Sequence, residues 1–139
     1  MAVSPIQPVT DVIEFAISEV DSEKIFLGIS NYGYDFVLPY VPGESRAASI
    51  STVQAYELAV RTGAIIEYDE TAQAPFFRYF ENGVQHEVWF EDARSIDARL
   101  RLMSEYNLKG ALYWNLDRRN PQNLVVINSI LNLEEFNLF

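Results

Sequence analysis

The sequence predicts an α/β fold in which two buried strands lie parallel and are joined through helical crossovers. Three observations carry this. Residues 25–32 and 110–116 are apolar at nearly every position, without the alternation of a half-solvated strand. Segments with helical apolar spacing flank both, which favours crossover connections over a direct hairpin. Between them, Asn82-Gly83 joins two aromatic-rich runs, and a type I′ turn needs such a pair because both central residues take positive φ.

The elements follow in order. Pro5 and Pro8 open the chain in extended form, and Val12, Ile13, Phe15, Ala16, Ile17 and Val20 then predict a helix over about residues 9–20, capped by Thr10 or Asp11. Residues 25–32 form the first buried strand, with Gly28 marking a bend or a close backbone approach. Gly33, Pro39 and Pro42-Gly43 punctuate residues 33–50, which are expected to be loop. Ser51-Thr52-Val53-Gln54 fits a capping box, so a helix starts there, runs through Ala55, Leu58 and Ala59, and stops at Gly63. Ile65, Ile66 and Tyr68 begin a strand-rich stretch that includes the hairpin of residues 75–90. Ser95 is expected to cap a helix over about 94–106, terminated by Asn107 in the left-handed region. The second buried strand follows, Asn120-Pro121 breaks it, and residues 122–131 form a last helix.

Composition removes several function classes. The 139 residues suffice for one compact domain, and 49% hydrophobic content supplies its core. A net charge of -10 with only 10 Lys and Arg makes nucleic acid a poor partner. The absence of cysteine excludes disulfides, thiolate zinc sites and cysteine nucleophiles, and one histidine, His86, cannot build a multi-histidine metal centre. No cofactor is expected, and His86, beside Glu87, is expected to be a solvated strand residue. No apolar run approaches the roughly 18 residues of a bilayer span, so no membrane partner is expected. Residues 1–10 show neither a basic nor an apolar signal region.

Two parallel strands cannot cover both their faces or pair both their edges, so a larger sheet is implied. The residues suggest which one. Leu27-Gly28-Ile29-Ser30-Asn31-Tyr32-Gly33-Tyr34-Asp35 resembles the seventh barrel strand of glycoside hydrolase family 18, Gly-x-Pro-x-Tyr-Gly, with Ser30 in the proline position. Gly110-Ala111-Leu112-Tyr113-Trp114-Asn115-Leu116-Asp117 resembles that family's eighth strand, and Val88 to Ile96 its approach to the preceding helix. The stretch Tyr68–Tyr79 is similar to the bacterial branch that acts on spore and cell-wall peptidoglycan. The resemblance runs from about Pro5 to Leu131. It implies the C-terminal fragment of a TIM (β/α)8 barrel, strands seven and eight with their helices, carrying a small α+β insertion domain. The implied division is residues 1–36 and 93–139 for the barrel and 37–92 for the insertion.

The resemblance also implies a chemistry and shows what this chain lacks. Family members use a D-x-x-D-x-D-x-E segment whose Glu is the general acid, while the substrate's own N-acetyl group attacks the anomeric carbon. No such segment occurs here, and Asp21/Glu23, Asp69/Glu70 and Glu91/Asp92 lack its spacing. No catalytic residue is therefore expected in this chain. The implied partner is a glycan containing β-1,4-linked N-acetylglucosamine, of peptidoglycan or chitin type, and the implied parent is a bacterial envelope, spore or secreted enzyme. Trp114 would floor the sugar, since a sugar's C–H face packs on an aromatic plane. Tyr32 matches the family's active-site tyrosine, and Tyr34 stands where many chitinases carry arginine. Asp35, Asn115 and Asp117 lie at strand ends, where barrel sites gather polar groups. Phe77, with Phe76 and Trp89, either walls the cleft or forms the insertion's own core. Arg118-Arg119 is expected to be a solvated turn. Exposed strand edges should promote self-association. A non-catalytic carbohydrate-binding or interaction module on the same fold is the alternative.

Overall fold

In the computed structural model, which describes residues 1–41, 43–115, 117–118 and 120–131, the chain forms two sheets and four α-helices. Helix α1 spans Ile6–Glu19, β1 Phe26–Ser30, β2 Tyr32–Val37, β3 Ala47–Ser51, α2 Thr52–Thr62, β4 Glu67–Asp69, β5 Ala74–Glu81, β6 Val84–Trp89, α3 Ala93–Glu105, β7 Gly110–Trp114 and α4 Pro121–Leu131.

The two apolar segments pair as expected. β1 and β7 are parallel, in a register running from Phe26 opposite Gly110 to Ser30 opposite Trp114. Leu27, Ile29, Ala111 and Tyr113 face the helical layer. There Ile13 of α1 meets Met103 and Leu108, and Ile29 meets Ile96 and Leu100 of α3 and Val126, Ile127 and Ile130 of α4. The expectation of burial on both faces is corrected. Phe26, Leu112 and Trp114 point the other way and are 50%, 57% and 69% exposed, because nothing in the described chain lies over them.

The second sheet is antiparallel, in the order β3-β2-β6-β5-β4. One face packs on α2 through Ala55, Leu58, Ala59, Phe77, Tyr79, Val88 and Phe90. The hairpin forms as predicted, with Asn82 at φ 50° and Gly83 at φ 80°. Helix α2 starts at the reciprocal Ser51–Gln54 capping box and ends at left-handed Gly63.

Several boundaries differ from expectation for identifiable reasons. Helix α1 begins at Ile6, not near residue 9, because Pro8 sits in the first turn, where its missing N–H has no intrahelical partner to lose. Neither Thr10 nor Asp11 caps it; Pro5 occupies the cap position without a side-chain bond, and the Ile6 amide donates to the Ala72 carbonyl at 3.0 Å. Helix α3 is capped by Asp92, with Ser95 as the third helical residue completing a capping box. Asn107 does adopt positive φ, 51°, just beyond the helix. The segment 33–50 is not loop throughout: it holds most of β2 and of β3, which pair antiparallel. The first buried strand therefore ends at Ser30, and Tyr32 to Phe36, assigned above with the barrel portion, belong to the antiparallel sheet.

Candidate functional site

The C-terminal ends of β1 and β7 meet at Asn31. Its side chain is buried and satisfied entirely by the turn after β7. Oδ1 accepts from the Asn115 amide at 3.0 Å, and Nδ2 donates to the carbonyls of Asn115 at 2.6 Å and Arg118 at 2.8 Å. The Asn31 backbone amide donates to the Trp114 carbonyl at 3.3 Å. The two segments singled out by sequence are thus fastened together at their ends, and the exposed Trp114 indole sits at the last β7 position.

Tyr32 is the first residue past Asn31 and turns the chain into β2. Strand alternation sets Tyr32, Tyr34 and Phe36 on one face. Their rings follow edge to face, 5.5 Å from Tyr32 to Tyr34 and 6.1 Å from Tyr34 to Phe36, and Tyr40 extends the row 5.6 Å beyond Phe36. The Arg118 guanidinium lies 5.6 Å from the centre of the Tyr32 ring and donates to Ser49 Oγ at 2.9 Å. Trp89 and Phe76 continue the same face, opposite Tyr34 across the ladder, and stack at 4.7 Å. Glu87, between them and the rim, accepts from Trp89 Nε1 at 2.6 Å and Arg78 Nε at 2.7 Å. Burial pushes the Tyr34 phenol up, so it stays neutral and able to donate.

The site residues expected from sequence fall into two groups. Trp114, Tyr32, Tyr34 and Asn115 cluster around Asn31 and the start of β2. Asp35 and Phe77 do not join them. Asp35 lies on the opposite face of β2, where it accepts from Tyr79 Oη at 2.6 Å and sits 3.0 Å from His86 Nδ1. Phe77 is fully buried against α2, so its side chain belongs to that core and not to a surface. His86 is not a solvated strand residue: its side chain is packed against Tyr79 and Asp35. Asp117 is exposed on the turn. Arg118 is engaged with Tyr32 and Ser49, not merely solvated, and Arg119 lies outside the described residues. Asn31, Phe36 and Tyr40 were not anticipated; the Tyr-x-Tyr-x-Phe alternation was the available signal for the row.

Behind the site, α3 is anchored by a buried pair. Arg99 and Glu91 approach to 3.2 Å, and Arg99 also donates to the Gln73, Ser95 and Ser4 carbonyls. Thr52 Oγ1 donates to the Glu91 carbonyl at 3.0 Å and accepts from Asn120 at 3.1 Å. This polar seam ties α3 and the approach to α4 to the start of α2 and the segment after β6. Burial pushes the Glu91 carboxyl up to about 7 despite the nearby guanidinium.

Comparison with known proteins decides the family. The model of the glycosyl hydrolases family 18 matches residues 6–118. The chain belongs to glycosyl hydrolases family 18. It is 50% identical over 133 residues to the cortical fragment-lytic enzyme of Bacillus subtilis, covering 95% of this chain and 31% of that protein. The spore cortex-lytic enzyme SleL of Bacillus megaterium superposes with a TM-score of 0.89 at 53% identity, over 94% of this chain and 30% of that one. A chitinase from Chromobacterium violaceum superposes at 0.84 with 25% identity, over 96% and 41%. The chain therefore spans about a third of the length of the cortical fragment-lytic enzymes it matches.

Proposed function

We propose that this chain is the C-terminal part of a family 18 barrel, in which β1 and β7 are strands seven and eight and β2 to β6 with α2 are the inserted α+β unit. Its function is to supply the sugar-facing floor and one wall of a cleft that holds β-1,4-linked N-acetylglucosamine glycan, of peptidoglycan or chitin type. The single observation that carries this is the placement of Trp114, exposed at the end of β7 and fastened through Asn31 to the start of the Tyr32–Tyr34–Phe36 row. A flat, exposed indole beside phenol donors suits the amphipathic faces of a pyranose. The open face of Phe26, Gly28 and Leu112 is where the rest of the barrel would pack, and alone it is the surface through which copies would associate.

The chain by itself contributes no general acid, so its chemistry is binding and positioning. The test is a chimera in which this chain follows the upstream barrel segment of a cortical fragment-lytic enzyme. The chimera should turn over a fluorogenic N-acetylglucosamine oligomer, and Trp114→Ala in it should lower kcat/KM by about 100-fold while leaving the fold intact. The isolated chain should show no turnover above blank. A folded chimera without activity, or turnover by the chain alone, contradicts the proposal. A stand-alone binding module on this fold would instead bind oligomers as tightly without the upstream segment as the chimera does, whereas the floor alone binds more weakly than the chimera.

A further inference from the structure

The floor and the wall of the cleft stand on different sheets. Trp114 ends β7 of the parallel pair, while Tyr32 and Tyr34 lie on β2 of the antiparallel sheet. Between Ser30 of β1 and Tyr32 of β2 the chain passes from one sheet to the other at the single residue Asn31, which also holds the turn after β7. One pivot fixes a point, not an angle. The tilt of the wall against the floor needs a contact away from the pivot. Asn120 ties the far end of the turn to Thr52, but at the start of α2 and not beside the tyrosines.

Arg118 is the described residue of that turn whose side chain reaches the tyrosines. Its carbonyl accepts from Asn31 Nδ2 at 2.8 Å, so its backbone is held with the floor. Its guanidinium lies 5.6 Å from the centre of the Tyr32 ring and donates to Ser49 Oγ at 2.9 Å. Ser49 stands on β3 directly opposite Tyr34, so the one side chain meets both β2 and β3. Burial and the neighbouring Tyr32 push the Tyr34 phenol up, and the charge of Arg118 opposes them. Arg78 and Arg101 take their carboxylates within one sheet and one helix, Glu87 across a strand pair and Asp97 one turn away. The Arg118 bond to Ser49 instead spans 69 residues and ends on the other sheet. A guanidinium suits this double task, since its face can lie against a ring while an N–H at its edge donates.

We propose that Arg118 is a positioning residue: it sets the Tyr32 ring and the β2–β3 strands at a fixed tilt to Trp114, so that floor and wall meet one sugar together. It acts through Tyr32 and does not itself bind the glycan. This rests on the glycan-floor reading of Trp114 and adds what holds the wall in place against that floor.

The 139-residue chain and its Arg118→Ala, Arg118→Lys and Tyr32→Leu variants, with the double variant Arg118→Ala/Tyr32→Leu, are titrated with N-acetylglucosamine oligomer by calorimetry. Their tyrosine ring and Trp114 indole signals are followed by NMR before and after addition. Arg118→Ala should weaken binding about fivefold and shift the Tyr32 ring signals before any oligomer is added, with the urea midpoint nearly in place. In the Tyr32→Leu background the same substitution should change affinity by less than about twofold, because the ring it acts through is gone. Arg118→Lys keeps the charge without the plane and should not restore binding. An equal loss in both backgrounds would mean that Arg118 touches the glycan itself, and full rescue by lysine that its charge alone matters; either overturns the positioning role. A parent chain that binds while Arg118→Ala binds equally well removes the role and leaves the floor standing. A parent chain with no saturable binding removes the floor, and the role with it.

Discussion

Asn31 and Asn115 hold each other through a paired amide contact, Oδ1 to the Asn115 N–H at 3.0 Å and Nδ2 to the Asn115 carbonyl at 2.6 Å. With a third bond to the Arg118 carbonyl, one side chain satisfies three backbone groups in the turn after β7. Asn is suited to this because it offers an acceptor and two donors on one plane. Asn31→Ala should destabilise the chain by about 2–3 kcal/mol, since it strands buried polar groups. Asn31→Asp should cost at least as much at neutral pH, as a carboxylate would then face two carbonyls. Urea midpoints at constant m-value check both, and a loss below about 0.5 kcal/mol for Asn31→Ala would show that the turn holds without the clamp.

Gly33 is required by close approach rather than by backbone angle. A Cβ there would lie 2.6 Å from Phe90 Cβ and 2.8 Å from Phe90 Cα, and would also strike the Trp89 carbonyl. Backbone cannot give way cheaply, so Gly33→Ala should destabilise by at least about 1–3 kcal/mol and displace the Tyr32 and Tyr34 rings. Gly28→Ala, with open space around it, should fall within about 0.5 kcal/mol of the parent in the same denaturation series.

Phe77 and Phe36 separate core from surface. Phe77→Ala should lose about 3–5 kcal/mol by opening a cavity against α2. Phe36→Ala should cost under about 1 kcal/mol in stability and appear instead in oligosaccharide affinity. Equal stability losses at the two positions would contradict the assignment of the sheet's two faces.

Glu91 makes stability depend on pH with a defined sign. Its carboxyl titrates near 7 in the folded chain and at the ordinary 4.5 when unfolded. Between these values folding takes up a proton, so the contribution is fully present below about 4.5 and is lost as pH rises through about 7. The urea midpoint should therefore fall between about pH 4.5 and 7 and level off above, and Glu91→Gln should flatten that slope. A parent midpoint that rises over this range, or a slope unchanged in the variant, would show that Arg99 keeps Glu91 ionised.

The sequence made the parallel pair, the Asn82-Gly83 hairpin and the Ser51 capping box legible because each rests on local chemistry: unbroken apolarity, positive φ and reciprocal side-chain bonds. It misplaced α1 and obscured β2 and β3, where Pro and Gly were weighed as breakers while tertiary pairing overrode them; Gly33 lies inside β2 because Phe90 packs on it. Trp114 and Asn115 at the end of β7 lie beside the Asn31-Tyr32 step into β2 because the parallel pairing of two strand ends brings those backbones together. Asp35 and Phe77 do not join them, because strand alternation sends them to the α2 side, and only the register of β2 against β6 reveals that.

The glycan-floor account stands or falls on the two indoles. Trp114 is exposed and Trp89 is only 9% exposed, stacked on Phe76. In a titration with N-acetylglucosamine oligomer, the Trp114 Nε1–H NMR signal should shift and the Trp89 signal should remain nearly fixed, with Trp114→Ala abolishing binding. A saturable titration that moves Trp89 and leaves Trp114 unchanged, or binding that survives Trp114→Ala, would contradict the account.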